Sequence, residues 1–404
     1  MADATRSVGK LGGTMKVALA IAALHAANDA YTAFVHPLLP RLMTKLDMSI
    51  AAAAGATMAL SIAASLAQPL LGHIADRRGR RLMIVLGPIV SGVFLSMIGW
   101  APTFGVLLLL LVAGGLGGAA FHPPAVAVAA HVTGGRGSGM RHAVFSSGGT
   151  VGYAMGPLIA VWVVAWLGFR GLWVAAIPVV ILAIALYPVL PAGGNLVPAG
   201  PSLTVGRLAR SLRGPLGLLF GVSAIAAFFQ RVFLTMAPIA NAAAGRSEMA
   251  GAYALSLYLA AQAAGSLTGG YLTDRIDRRW LLAGLTLMAL PTHFLAFWFT
   301  PGTAPALISM ALAGFANMSV LPPIVVIAQE TRPDRAALYS GIVMGLAWAV
   351  GSVGVIGAGV LGDAIGARES AMAITPIMFI ATLMAIHPAL KQHGRPIEAV
   401  SHVT

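Results

Sequence analysis

The sequence predicts an all-α membrane protein with twelve transmembrane helices in two six-helix halves. Three observations carry that prediction. Of 404 residues, 58% are hydrophobic and 9% charged, a far more apolar balance than soluble domains show. The apolar residues gather into runs of about 20, the length that crosses a bilayer as a helix. Features of the first half of the chain then recur in order in the second half, the mark of an internal duplication.

The runs lie near 17–40, 50–72, 82–101, 104–131, 142–166, 171–190, 215–240, 249–272, 280–299, 304–329, 338–361 and 370–388. With the N-terminus inside, the inner segments hold 19 of the 25 Lys and Arg residues. The outer loops hold Arg41, Lys45, Arg170, Arg246 and Arg368, and Arg231 lies within a span. Basic loops stay in the cytoplasm, so both termini are expected there. The formal charge of +13 is therefore a topology signal and an attraction to anionic lipid; nucleic acid is not an expected partner. Arg6, Lys10 and Lys16 precede an apolar run as in a signal peptide, but that run is long and polar in its middle. It is read as a retained first span. The chain has no Cys, so no disulfide or thiolate metal site is available.

The first span, KVALAIAALHAANDAYTAFVHPLLP, carries His25, Asn28, Asp29 and His36. At helical spacing His25, Asp29, Thr32 and His36 fall within roughly 60° of one another, with Asn28 at the edge. A carboxylate near mid-span costs about 2.5–3.5 kcal/mol on insertion scales, so it normally faces a cavity, a partner or an ion path. The functional reading is a proton-coupling Asp29 with His25 one turn away as tuner or relay. The structural alternative is an Asp hydrogen-bonded between helices.

The second and third spans are joined by GHIADRRGRR, Gly72 to Arg81, and GYLTDRIDRR follows 198 residues later, Gly270 to Arg279. In the fourth span Pro123 and Pro124 match Pro322 and Pro323, and Pro37 of the first span matches Pro238 of the seventh. The expected division is 1–190 and 214–404, joined by a Pro- and Gly-rich, then basic, linker at 191–213. Its SLTVGRLARSLR segment reads as a short helix on the cytoplasmic leaflet or as a solvated loop. Duplicated halves place a substrate site near the bilayer midplane and work by alternating access. Aligning Pro37 with Pro238 sets Asp29 opposite Gln230, one residue from Arg231. Arg231, with Gln230, is the candidate anion-binding group, since its fork suits carboxylates, phosphates and phosphonates. A permanent Asp29–Arg231 ion pair is the structural alternative.

Gly72, Asp76, Arg77, Gly79, Arg80 and Arg81 fit the loop motif that marks the major facilitator superfamily, which this chain resembles throughout. The resemblance implies a conformational latch made by these residues, with a weaker copy at Asp274 and Arg275. A carboxylate such as Asp76 is drawn to a helix N-terminus, while the arginines also serve topology. Asp277 stands where the first copy has Gly79, so the tight turn is expected to relax there.

Over roughly 20–160 the chain resembles one branch, the fosmidomycin-resistance family of exporters. LHAANDAYTAFVHPLLP and AAFHPPAVAVAAH carry that likeness through His25, Asn28, Asp29, Pro37, Phe121, His122 and Pro123. The family pattern continues with Glu, where this chain has Pro124; a titratable group is thereby removed. Gly152, Gly156 and Pro157 resemble a G-x-x-x-G-P signature of antiporters in the superfamily, and close helix packing explains the same residues. The Arg that accompanies that signature in the fourth span is replaced by Leu107 to Leu111.

His122, whose counterpart is Leu321, is a candidate substrate or proton contact, as are Asn28 and, nearer the outer surface, His36. His293 is expected to be structural. No Walker loop, G-x-S-x-G motif or zinc spacing beyond the His25–Asp29 pair is present, so an enzyme, a cofactor and a metal are not expected. The leading expectation is a monomeric, proton-coupled exporter of a small anionic or amphiphilic compound, drug or phosphonate-like, in a bacterial inner membrane. The alternatives are an importer or facilitator of an organic anion, and a transporter-like receptor or lipid-handling protein without solute flux.

Overall fold

Long apolar runs with polar residues confined to few positions give long helices, and the computed structural model is helical throughout. It describes residues 2–133, 138–191, 206 and 210–393. No strand occurs among them. The helix expected over the linker falls largely outside the described residues.

In the first half α1 (Ala2–Thr32), α2 (Leu39–Leu46), α3 (Ile50–Leu66), α4 (Gln68–Arg78), α5 (Arg80–Ser96), α6 (Phe104–Thr133), α7 (Ser138–Leu167) and α8 (Ala176–Leu186) follow in order. The second half has α9 (Pro215–Ala243), α10 (Glu248–Thr273), α11 (Arg278–Trp298), α12 (Ala304–Ser319) and α13 (Leu321–Thr331). It closes with α14 (Ala336–Gly341), a π-turn over Ile342–Leu346, α15 (Ala347–Val353), α16 (Val355–Ile365), α17 (Ala367–Ala373) and α18 (Ile377–Ala385).

Eight helices among the described residues are long and apolar enough to span a bilayer, or nine if α3 and α4, bent by 43°, form one span. Their outward residues are apolar: Leu109 is 70% exposed and Trp166 75%. Helices apolar all round belong in lipid. Runs 17–40, 249–272 and 370–388 fall short of that test. His25, Asn28 and Asp29 dilute the first, and Gln262 with Tyr253 and Tyr258 the second. The third is broken between Ala373 and Ile377, ahead of Pro376.

The first run also ends earlier as a helix than its apolar length implies. After Thr32 the chain makes turns bonded three residues apart, Phe34 to Tyr31 and His36 to Ala33, before α2. Pro37 has no N–H to offer and disfavours helical backbone at His36. Its counterpart Pro238 is carried inside α9.

Contacts divide the chain into two units, residues 1–201 with Asn241–Ser256, and Ser202–Ala240 with Leu257–Thr404. Lipid tails are as apolar as side chains, so helices associate in a membrane chiefly by close packing. In the first unit Gly148, Gly152 and Gly156 of α7 lie against Ala22, Ala26 and Ala30 of α1; any Cβ there would run into an α1 carbonyl oxygen. In the second unit Gly351 of α15 abuts Ala224 of α9 in the same way. The G-x-x-x-G spacing thus acts as a backbone contact that locks α1 to α7. Ile21, Leu24, Phe121 and Phe145 complete the buried core beside it.

The two loop copies show how the duplicated sequence has diverged. Gly79, between α4 and α5, has φ 105° and ψ 116°, a backbone that L side chains rarely adopt. Asp277 has φ −52° and instead caps α11, accepting from the N–H groups of Arg279 and Trp280 at 3.0 and 3.3 Å. The tight turn is indeed relaxed in the second copy. Arg81 donates through Nε and Nη2 to the Tyr187 carbonyl at 2.8 and 2.6 Å and lies 3.8 Å over the Tyr187 ring. Its counterpart Arg279 donates to the Ile386 carbonyl and sits over Trp280. Each arginine therefore ties the start of its helix to the segment that ends its own half.

Candidate functional site

The α1–α7 contact delivers the polar face of α1 to its position. Asp29 is 20% exposed and stands between two imidazoles: His25 Nε2 is 3.2 Å from Oδ2, and His122 Nε2, from α6, is 3.4 Å from Oδ1. Asn28 donates from Nδ2 to Asp29 Oδ1 at 3.0 Å and lies 3.5 Å from His122 Nε2. Ser91 of α5 donates to Asn28 Oδ1 at 3.1 Å. Side chains of three helices, α1, α5 and α6, thus form the network around one carboxylate.

The proton count in this cluster follows from the partners. His25 Nδ1 lies 3.0 Å from the Phe145 carbonyl oxygen, which can only accept, so Nδ1 carries a hydrogen. A neutral His25 would then turn its bare Nε2 toward a carboxylate oxygen, two acceptors face to face. The 3.2 Å contact therefore requires a further proton, on His25 or on Asp29. Stacking on Phe145, ring centroids 4.6 Å apart, fixes the imidazole in this pose.

Gly149 explains how α7 comes so close. A Cβ there would lie 2.8 Å from Asp29 Oδ2 and closer still to His25 Nε2. The donor atoms of His25, Asp29 and His122 all lie within 4.8 Å of one another. Sequence spacing supplies only the His25–Asp29 pair; the fold adds His122 and gives a spacing that would admit a cation. A proton between two of the three satisfies the cluster without one.

Asn28 is wholly buried and serves to hold Asp29. His36 is 1% exposed, in the turn after α1. Gln230, 3% exposed on α9, donates to Gln262 Oε1 at 3.2 Å, and Arg231 beside it is half-buried. His293 is a buried core residue bonded to the Ala289 carbonyl at 2.8 Å, as expected of a structural histidine.

In the loop motif, Asp76 pairs with Arg80, Nη2 to Oδ1 at 2.6 Å, and a Cβ on Gly72 would meet Pro123 Cβ at 3.2 Å. Arg77 is exposed, as is Asp274, and Arg275 lies 3.6 Å over the Tyr271 ring. Pro157 is accommodated inside α7 one residue after Gly156.

Sequence reading passed over Ser91, Phe145, Gly149, Gln262 and Glu330. Glu330 receives the buried Arg278. The Ser-Ser-Gly-Gly-Thr run at 146–150 was the one available signal for Gly149. At the other end of the first unit Arg41 binds Glu248 with both forks, Nε to Oε1 at 2.7 Å and Nη2 to Oε2 at 2.9 Å. That hydrogen bonding raises the Arg41 pKa further above its ordinary value.

Comparison with known proteins agrees with this architecture. The family model of the Major Facilitator Superfamily matches residues 19–239 and again 219–401. A "Fosmidomycin resistance protein" of Escherichia coli (strain K12) is 26% identical over 375 residues, covering 90% of each chain. The uncharacterised MFS-type transporter YfnC of Bacillus subtilis (strain 168) is 27% identical over 401 residues, covering 95% of this chain and 96% of its own. A "Chloramphenicol resistance protein" of Streptomyces lividans is 27% identical over 364 residues, 86% of this chain and 90% of its own. Among solved structures, a bacterial homologue of the human lysosomal transporter Spinster superposes with a TM-score of 0.78 at 18% identity, covering 94% of this chain and 97% of that one.

Proposed function

This chain belongs to the major facilitator superfamily, a family of transporters and not enzymes, and on that premise we propose that it is a proton-coupled exporter working by alternating access. The observation that carries the reading is the 3.2 Å contact of His25 Nε2 with Asp29 Oδ2, which is favourable when one of the two is protonated, on a carboxylate that remains 20% exposed. A site that favours a proton while partly open can load and release one as its surroundings change. Pro124 replaces the second acid of the resembled pattern, so Asp29 with its two histidines is the coupling group, and His122 links it to α6.

The cargo we propose is a small anionic or amphiphilic compound, drug or phosphonate-like. Similarity to proteins named for fosmidomycin and chloramphenicol resistance supports export. Arg231, half-buried on α9, is the proposed anion-binding residue, since its planar fork suits carboxylates, phosphates and phosphonates. The protein is integral to the membrane, and the charge asymmetry favours twelve spans in a bacterial inner membrane with both termini in the cytoplasm. The loop arginines and Asp76 are proposed to stabilise one of the alternating states.

Proteoliposomes with an imposed pH gradient test the proposal. Export coupled to protons requires substrate-dependent proton movement opposite to the substrate. Asp29→Asn is expected to abolish that movement, and Arg231→Lys to weaken transport of the anion. Proton movement in the same direction as substrate would establish import instead. Full coupled transport by both variants would remove the mechanism.

A further inference from the structure

Two imidazoles and one carboxylate meet at Asp29 with lone pairs turned toward one another. The Phe145 carbonyl keeps a hydrogen on His25 Nδ1, so in the neutral ring Nε2 is bare, 3.2 Å from Asp29 Oδ2. Asn28 Nδ2, which can only donate, lies 3.5 Å from His122 Nε2 and so faces a lone pair there as well. That nitrogen is 3.4 Å from Asp29 Oδ1. Each of the three side chains offers one ligand atom, all within 4.8 Å of one another. A proton lies between two such atoms at a time, whereas a divalent cation engages all three.

We propose that His25, Asp29 and His122 form a binding site for a divalent transition cation of the zinc type. Two imidazoles, one carboxylate and an open fourth position are a ligand set that Zn2+ takes, with bonds of about 2.0–2.1 Å. Tetrahedral bonds of that length set neighbouring ligand atoms about 3.3–3.4 Å apart, close to the 3.2 and 3.4 Å contacts here. The outer partners of a metal site are also in place. His25 Nδ1 rests on the Phe145 carbonyl, and Asn28 donates to Asp29 Oδ1 at 3.0 Å; such contacts orient metal ligands and fix the histidine tautomer. Stacking on Phe145 and edge contact with His122 hold the His25 ring in its pose. Asp29 and His122 are 20% and 29% exposed, so the cluster is reached from solvent. Imidazole nitrogens favour zinc-type ions over Mg2+ and Ca2+, which take oxygen ligands. Entry of the ion releases a proton shared by His25 and Asp29 and keeps the carboxylate ionised. On the coupling reading above, a bound ion therefore arrests transport.

The purified full-length protein, without a polyhistidine tag and in neutral detergent, tests the site with Zn2+ and Co2+. Calorimetry is expected to show one Zn2+ bound per chain, undisturbed by excess Mg2+, with a rise in Tm. Co2+ is expected to take on the visible absorption of an imidazole-ligated ion and to lose it when Zn2+ is added. Loss of an outer partner costs a metal site about 10- to 100-fold in affinity, so His25→Ala and His122→Ala, which remove ligands, should each weaken Zn2+ binding by at least about tenfold. The wild-type Co2+ spectrum keeps the test decisive where a variant fails to fold. A spectrum that stays that of the aqueous ion, or a Zn2+ affinity within about twofold of wild type in the folded variants, overturns the proposal. Binding is measured with no gradient, so it stands or falls apart from proton coupling. Zn2+ that binds as expected yet leaves proton-driven transport unchanged keeps the site and counts against Asp29 as the coupling group.

Discussion

Gly149→Ala tests the geometry of the Asp29 cluster without replacing any of its polar side chains. The added methyl would sit 2.8 Å from Asp29 Oδ2 and nearer to His25 Nε2, where ordinary contact is about 3.5 Å or more. The carboxylate must retreat by roughly 0.7 Å on that measure. His25 has less room, because Phe145 holds it by a 3.0 Å hydrogen bond and by stacking. The 3.2 Å His25–Asp29 contact is therefore the one that gives way. Overpacking of this kind costs about 1–3 kcal/mol, which corresponds to roughly 5- to 150-fold in any step that needs the assembled cluster.

The assay is proton-driven transport in proteoliposomes, measured as a double-mutant cycle with His25→Ala, with Tm confirming that each variant folds. Removing the imbidazole ring removes the main obstacle to the methyl, so Gly149→Ala should cost far less in the His25→Ala background. Contacting residues depart from additivity, whereas independent ones add within about 0.5 kcal/mol. Additive effects, or full activity of Gly149→Ala alone, would refute the close approach of α7 to the proton site.

Other expectations follow from the loops and the outer end of the first unit. Gly79→Ala meets no neighbouring atom, so its cost is the φ of 105° alone, about 1–3 kcal/mol in thermal unfolding; Asp277→Ala loses only a helix cap, about 0.5–2 kcal/mol. Arg81→Lys gives up the two-pronged bond to Tyr187 and the ring contact, and a fall in stability of about 1 kcal/mol is expected. Arg41→Gln breaks a pair whose side chains are 44% and 26% exposed. Its effect should be about 0.2–1 kcal/mol and should shrink in 1 M salt, where charges are screened within about 3 Å; an effect unchanged by salt would show that charge is not its cause.

Much of the fold was legible because membrane burial writes itself into composition. The apolar runs, the paired loop motifs and the proline matches all survive in one chain without knowledge of contacts. Asp29, His25 and Asn28 were legible for the same reason, since polar residues in an apolar helix stand out. What joins them was not legible. His122 reaches Asp29 from another helix across 93 positions, and only the packing of α6 beside α1 brings it there. Gly149 showed itself as one small residue among several, because a glycine's use depends on the helix facing it. The break after Thr32 was hidden by an apolar run that continues through it, and the roles of Glu330 and Ser91 depend on partners more than 50 residues away.

Arg81 and Arg279 each close a ring inside their own half of the chain, joining the third helix of the repeat to its last segment. A polypeptide cut in the stretch between 192 and 205 would leave both of these closures whole. The first unit also draws on Asn241–Ser256 of the second fragment, so the two fragments are expected to need production together in one cell. Assembly from separately encoded halves is then a practical way to label or mutate one half while leaving the other untouched.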